Sequence, residues 1–389
     1  MKHYDLVIVG GGMVGKTLAA CLKDTGLNIA LIDAAVIDPS NDKRLIALNH
    51  ASCSLYKNIG LWPLLKSNAT PINEVHVSKK GRFGITRINK NILNIDALGH
   101  VVPAKYINLA LQEFLADSKD LTFLNPATLT NISQSSQKVE IDVSIDSGIL
   151  SLTCDRVVAA DGTNSTIRQA LNIDVETIDY EQTALVTSTV LQRSHHNIAY
   201  ERFIDDGAIA MLPLADNKVA TIWTASNAKV KQLLSIPDDE FIKELQDNFG
   251  YRLGKLIQVS QRASYPLKMT RALQQNKNNV CLIGNAAHTI HPVAAQGLNL
   301  AMYEIAIIVD ALKDSDPELL KALDKKKFSE KLSHQLTWVF SNENFIFNKL
   351  RQASMVGLDV IKPLKLKFAE HAIGKGGVTP SLLIENGSF

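Results

Sequence analysis

The chain has 389 residues, 46% hydrophobic and 21% charged, with a formal net charge of +2. That is enough for two domains and a large core, in the proportions of a soluble globular enzyme. It excludes a nucleic-acid binder with a concentrated basic face. No stretch reaches transmembrane length, and Met1–Asp5 leads straight into a strand, so no signal peptide is expected. Cys21, Cys53, Cys154 and Cys281 lie far apart without a C-x-x-C pair and read as reduced core residues of a cytoplasmic protein. No His/Cys/Asp cluster has metal-ligand spacing.

The first element is an apolar run, Asp5–Val9, of the kind a buried parallel strand needs. Gly10, Gly12 and Gly15 follow at G-x-G-x-x-G spacing. The first glycine suits a tight turn, the second lets backbone approach a pyrophosphate, and the third lets a helix over 14–25 pack on the sheet. That helix offers its N-terminal N–H groups to phosphate. A second strand, Ile29–Ile32, ends at Asp33, whose carboxylate can accept both hydroxyls of an adenosine ribose. The acid disfavours a 2′-phosphate, so the motif specifies FAD or NAD without separating them.

Further along, Asp42–Asn49 reads as the opening of a helix running to about Ile59 and closed by Gly60. Arg44, on spacing alone, is a solvated charge of that helix. Glu74–Ser78 and Phe83–Ile95 alternate like a half-exposed sheet, and Leu98–His100 returns the chain to a helix striped by Ile107, Leu111, Phe114 and Leu115. Val139–Ile145 and Ile149–Cys154 form a hairpin about Asp146-Ser147-Gly148. Arg156–Ala160 is a buried strand ending in A-D-G-T-N-S-T-I-R. Strand patterns fill 184–225, a helix covers Asp238–Phe249, and Gln258–Met269 is one more strand. In Gly207–Leu214, Pro213 suggests a break that would open a pocket. His195-His196 reads as solvent-facing. Val280–Ile283 leads into G-N-A-A-H-T-I-H-P at 284–292 and a helix from about 295 to Leu312, with more helix after Asp324. Met355, Leu358, Ile361, Leu364 and Phe368, with Arg351, Lys362, Lys365 and Lys367, make a basic amphipathic pattern that either packs on the fold or meets an anionic membrane or partner.

Three motifs in one order, G-G-G-M-V-G at 10–15, A-D-G-T-N-S-T-I-R at 160–168 and G-N-A-A-H-T-I-H-P-V-A-A-Q-G-L-N at 284–299, resemble the flavoprotein aromatic hydroxylases of the p-hydroxybenzoate hydroxylase fold. R-L-I-A-L-N, L-G-H-V-V, D-Y-E-Q and H-T-I-H-P are similar to the ubiquinone-biosynthesis hydroxylases. E-V-H-V-S-K-K-G, F-G-Y-R-L-G-K and S-Y-P-L resemble the branch acting on 2-polyprenyl-6-methoxyphenol. The resemblance implies an α/β fold, with a FAD-binding Rossmann-like domain (1–73, 97–178 and 270–325), an inserted mixed β-sheet substrate domain (74–96 and 179–269) and a C-terminal helical region (326–389). It implies bound FAD, NAD(P)H as co-substrate, and oxygen transfer from a flavin C4a-hydroperoxide to a polyprenyl phenol. Arg44 would lie near the FAD phosphates, Asp161 and Gly162 near the pyrophosphate, and Asn285 at the ribityl chain. Gly297, Leu298 and Asn299 would aim N–H groups at the flavin N1/C2=O edge, with Pro292 against the ring. His288 and His291 flank that turn as candidates for assisting phenol deprotonation, and equally as structural histidines.

Two positions depart from the family pattern. Asn285 stands where most members have Asp, and Ala295 stands in the usual G-Q-G. Both imply loosely held FAD. The polyprenyl substrate implies peripheral contact with the inner face of the cytoplasmic membrane or a ubiquinone-biosynthesis complex. A non-catalytic flavoprotein scaffold of such a complex, or a hydroxylase of another phenol, are the alternatives. Trp62, Trp223 and Trp338 are isolated, which argues against a halogenase.

Overall fold

A computed structural model describes residues 1–36, 38–81, 85–135, 138–289, 296–314, 323, 362–375 and 379–385. The chain opens as strand β1 (Lys2–Val9), helix α1 (Met13–Cys21) and strand β2 (Ile29–Ile32). Then the sequence reading fails locally. Leu45–Asn49 is strand β3, and the helix begins only at α2 (His50–Asn58), where Asn49 Oδ1 caps Ser52 N. A four-residue apolar run fits either period, and tertiary pairing chose the strand.

Next come α3 (Trp62–Lys66), β4 (Thr70–Ile72), β5 (Glu74–Lys79) and β6 (Ile85–Asn89). β7 (Gly99–Pro103) precedes α4 (Ala104–Leu115), so Leu98–His100 leads into a strand, not a helix. Strands β3, β7 and β4 form their own antiparallel sheet. β8 (Leu121–Leu124), β9 (Thr128–Gln134) and β10 (Val139–Ile145) follow. β11 (Gly148–Ala159) is one long strand where two were expected. Its first half pairs antiparallel with β10 and its second half parallel with β1, which is why strict alternation gives way to continuous burial.

After α5 (Thr166–Ala170), β12 (Val175–Leu191) runs for 17 residues. Its D-Y-E-Q stretch is a bulge: the register with its neighbour slips between Asp179 and Gln182, and Glu181 takes φ 53°. β13 (Ile198–Ile204), β14 (Gly207–Leu214) and β15 (Lys218–Ser226) continue the sheet. Pro213 stays in register with Val219, so it makes no break there. α6 (Asn227–Ser235), unseen in the sequence, is capped by Ser226, and α7 (Asp238–Phe249) stops at Gly250 as expected. β16 (Leu256–Val259) and β17 (Ala263–Ala272) replace one expected strand. β18 (Asn276–Lys277), β19 (Val280–Leu282), β20 (His288–Thr289), α8 (Gln296–Lys313) and α9 (Lys362–Ala372) complete the elements. The expected helices between 324 and 361, including Met355, Leu358 and Ile361, fall outside the described residues.

An eight-stranded sheet, ordered β18-β19-β11-β1-β2-β8 with β10 and β9 branching from β11, carries the first apolar core. Along β1, Leu6 and Ile8 point to a layer with Leu18, Leu111 and Ile305. Val7 and Val9 point the other way, toward Ile141, Val157 and Ile167. This alternation buries both faces, at about 1.5–3 kcal/mol per large side chain.

A nine-stranded sheet, ordered β20-β17-β12-β15-β14-β13-β5-β6, with β16 paired to β12, stands beside it. One face packs Leu185, Ile209, Met211 and Trp223 against Phe241, Leu245 and Phe249 of α7. From the opposite face, Ala199, Leu212 and Leu214 join Ile72 and Val101 of the three-stranded sheet and Ala369 of α9. Thus α9 packs on the fold through its apolar side. No helix among the described residues is long and apolar enough to cross a membrane. All four cysteines are buried thiols.

Candidate cofactor site

The C-terminal ends of parallel strands β1, β2, β11 and β19 open on one edge of the sheet, and every described residue singled out in the glycine, Asp-Gly and 284–299 motifs follows one of these ends or starts α8. At the first end, Gly10 turns at φ 109°, and a Cβ there would lie 2.4 Å from Ala160 O. Gly15 sits so close that its Cβ would be 1.9 Å from Gly10 O, so only glycine lets α1 seat on the turn. Gly12 differs: no described heavy atom lies within 4 Å of its Cβ position. It is the N-cap of α1, no side chain caps that helix, and its first turn holds no acid. The arrangement leaves N–H groups for an anion.

Asp33 closes the turn from β2. Its Oδ2 would lie 2.5 Å from a Cβ on Gly11, and its Oδ1 accepts Ala35 N at 3.2 Å. Burial lowers the pKa of Lys16 in α1, with Asp33 opposing that shift.

From β11, Asp161 Oδ2 caps α5 by accepting Thr166 N at 2.8 Å and Ile167 N at 3.2 Å. Its Oδ1 is buried without a partner among the described residues, and Gly162 (φ 85°) faces open space. From β19, Gly284 turns at φ 56° and donates its N–H to Glu304 Oε2 at 2.8 Å. Asn285 next to it is exposed. At the start of α8, no described atom lies within 4 Å of a Cβ on Gly297. Open space beside one glycine in each of the three motifs, plus an orphaned buried carboxylate oxygen, fits a long, narrow phosphate-bearing cofactor laid across these turns.

Other members serve the fold. Asn299 Oδ1 accepts Asn49 N at 2.9 Å and Ser52 Oγ at 2.7 Å, while its Nδ2 donates to Ala47 O at 2.9 Å. Its side chain therefore ties α8 to β3 and α2, leaving backbone to face a ligand. Leu298 beside it is partly buried against the first core. Arg44 is not on a helix. It precedes β3, and its fork is held by Asp42, Nε to Oδ1 at 2.9 Å and Nη2 to Oδ2 at 2.6 Å. These bonds hold Asp42 below the usual carboxylate range and push Arg44 up, with more than half of the Arg44 side chain still exposed.

His288 is buried, and its Nε2 donates to Glu304 Oε1 at 2.7 Å. Gln275 Nε2 donates to the same oxygen at 2.8 Å. Glu304 thus accepts three bonds and fastens the Gly284 turn to α8. His291, Pro292 and Ala295 lie outside the described residues. His195, expected in solvent, is buried: Nε2 donates to Leu214 O at 2.8 Å, and Nδ1 accepts Asn197 N at 3.0 Å. The ring serves as a backbone partner for a turn with positive φ at His196 and Asn197.

Sequence reasoning passed over two residues that unite the site. Arg168, buried at the end of its motif, donates to Ala286 O at 2.9 Å and Thr163 O at 2.7 Å, joining the Asp161 and Gly284 segments. Glu304 is the other. An acid in an apolar helix, twenty residues after a glycine turn, was the only signal available for it.

Residues 3–316 match a family model described as FAD binding domain. The chain is 30% identical to ubiquinone hydroxylase UbiL of Rhodospirillum rubrum, over 96% of this chain and 90% of that one. It is likewise 30% identical to 3-demethoxyubiquinol 3-hydroxylase of Escherichia coli, covering 79% of each. Among solved structures, p-nitrophenol 4-monooxygenase PnpA of Pseudomonas putida DLL-E4 superposes with TM-score 0.77 at 17% identity, over 97% of this chain and all of that one.

Proposed function

The chain belongs to the FAD-binding family of the ubiquinone-biosynthesis hydroxylases, and from that premise we propose that it hydroxylates the ring of a polyprenyl-substituted phenol, as a 2-polyprenyl-6-methoxyphenol hydroxylase does. Bound FAD supplies the redox and oxygen-transfer chemistry, with NAD(P)H, the family's usual reductant, and O2 as co-substrates. The chain's own task is to hold, orient and shield. Gly10, Gly12 and Gly15 let the α1 N-terminus meet phosphate, and Asp33 accepts ribose hydroxyls. Asp161 and Gly162 border the pyrophosphate, where the exposed remainder of the Arg44 fork adds positive charge. Asn285 meets the ribityl chain. The N-terminus of α8, from Gly297 through Leu298 and Asn299, stabilises negative charge on the flavin. His288 keeps the turn rigid through Glu304.

The observation that carries this reading is the direct joining of cofactor turn and second sheet: Thr289, just past His288, pairs with Thr270 of β17. A phenol lying on the nine-stranded sheet would therefore be a neighbour of the flavin. We read that sheet as the substrate side, and the polyprenyl tail as the reason for peripheral contact with the inner face of the cytoplasmic membrane or with a ubiquinone-biosynthesis complex. In purified protein given FAD, NAD(P)H and a 2-polyprenyl-6-methoxyphenol, the expected product is heavier by one oxygen. NAD(P)H oxidation with no such product from any prenylated phenol would overturn the reading.

A further inference from the structure

The nine-stranded sheet carries one carboxyl that the cofactor site does not use. Glu201 lies in the middle of β13, and strand register fixes its face. Its neighbours Tyr200 and Arg202 point to α7, where Tyr200 stacks edge-on with Phe249 and Arg202 Nε donates to Asn248 O. Ala199, two residues before Glu201, packs toward the three-stranded sheet. Residues alternate along a strand, so Glu201 shares the face of Ala199.

Directly paired residues also share a face. Glu201 therefore stands in the row Val77, Glu201, Ala210, Ile222, Val186 and Ala263. It is the one charged side chain in that row, which Thr86 of β6 continues past Val77 and whose other members are small or aliphatic. The adjacent row on the same face ends, through Phe203, Ala208, Thr224 and Ala184, at Tyr265. Tyr265 lies within electrostatic reach of Arg44. This face is thus bordered by the three-stranded sheet at Ala199 and by Arg44 near Tyr265, and β17 runs on to the flavin-side turn at Thr289.

Glu201 is partly buried on this face. Among the described residues, no donor or cation holds its carboxyl. Lys79, at the end of the adjacent row, and Arg44, beyond Tyr265, are charged groups on that side, with the Arg271–Glu176 ion pair further along β17 and β12. None of them sets its proton affinity: burial alone pushes its pKa up to about 7. An aliphatic side chain would fill this row with less penalty, so the carboxyl calls for a ligand with a hydroxyl to offer.

We propose that Glu201 is the acceptor for the phenol hydroxyl of the substrate, an inference that rests on the hydroxylase reading above. In the resting complex its carboxylate accepts a hydrogen bond from that hydroxyl, which orients the ring. A phenol near pKa 10 is about a thousandfold weaker as an acid than such a carboxyl, so transfer is not complete beforehand. As the ring carbon attacks oxygen, the phenol O–H bond breaks and the proton passes to Glu201. When that carbon loses its hydrogen and aromaticity returns, Glu201 gives the proton back to the same oxygen. The ring loses two electrons, NAD(P)H supplies two more, and O2 takes all four, one atom entering the ring and one leaving as water.

The test uses FAD-loaded full-length protein, NAD(P)H, O2 and a soluble short-chain 2-prenylphenol. In the wild type, kcat/KM should rise with pH through about 7 and then level. Glu201→Gln should bind FAD normally, lose that limb, and form product about 10²–10⁴-fold more slowly at the plateau. A variant within about threefold of wild type, with the same limb, overturns the proposal. If the variant fails to fold, the wild type still decides. The limb should stay near 7 when a ring-fluorinated, more acidic phenol is used, and a limb that follows the substrate overturns the assignment. A wild type that hydroxylates no prenylated phenol fails earlier and differently, taking the functional reading down together with this role for Glu201.

Discussion

The two large sheets build their halves of the site from different materials. Around the eight-stranded sheet the proposed cofactor side is mostly backbone: turns at Gly10, Gly162 and Gly284 and the first turns of α1 and α8. On the nine-stranded sheet the proposed substrate side is a pleated wall on which strand register sets the face of Glu201. Backbone sites tolerate almost no added volume but are indifferent to pH. A side-chain site tolerates repacking and is governed by one protonation state.

The sharpest way to break the cofactor half is volume. Gly15→Leu would push a side chain into Gly10 O, now 1.9 Å from the Cβ position. Strain at a turn that tight is expected to remove FAD binding altogether, by at least about 100-fold, in a flavin titration. Near-normal affinity would mean that α1 does not pack as described.

Next comes the strut between the halves. His288→Asn leaves buried Glu304 short of one bond, so stability should fall by about 1–3 kcal/mol in a denaturant titration. Turnover of the folded enzyme should stay within a few-fold. Unchanged stability with a collapse in turnover would return His288 to the chemistry.

A quieter difference concerns pH. The folded pKa of Glu201 is raised to about 7, above its unfolded value of 4.5. The unfolded chain therefore releases the proton first, and stability is lost as pH rises between those two values and stays level above them. Glu201→Gln should be more stable than wild type by about 2–3 kcal/mol at pH 8 and equal to it near pH 4. Parallel stability curves for the two proteins would show that the carboxyl is not buried as described. The smallest effect is expected at the ribityl position, where Asn285→Asp should tighten FAD by only a few-fold, because Asn285 is exposed and a carboxylate there gains one acceptor. Looser binding would indicate that residue 285 donates rather than accepts.

The same contrast explains what was legible in the sequence. Turns that need glycine at fixed spacing print themselves on the chain, so the turn at Gly10 and the close packing at Gly15 were readable without a structure. Leu45–Asn49 was misread because four apolar residues carry no period of their own, and pairing with β7 decided them. His195 was misplaced because its burial depends on two backbone partners, one of them Leu214 on β14. Arg168, Glu304 and Glu201 act through contacts or faces made by distant strands. Nothing local distinguishes Glu201 in A-Y-E-R-F-I from a solvated strand residue.

On the proposed function, both halves serve one oxygenation of a prenylated phenol. The quinone-intermediate profile of cells lacking this protein, read by mass spectrometry, tests that. Such cells should accumulate a 2-polyprenylphenol or its methoxy derivative and lose ubiquinone. An unchanged ubiquinone pool with no such intermediate would mean that the protein does another job.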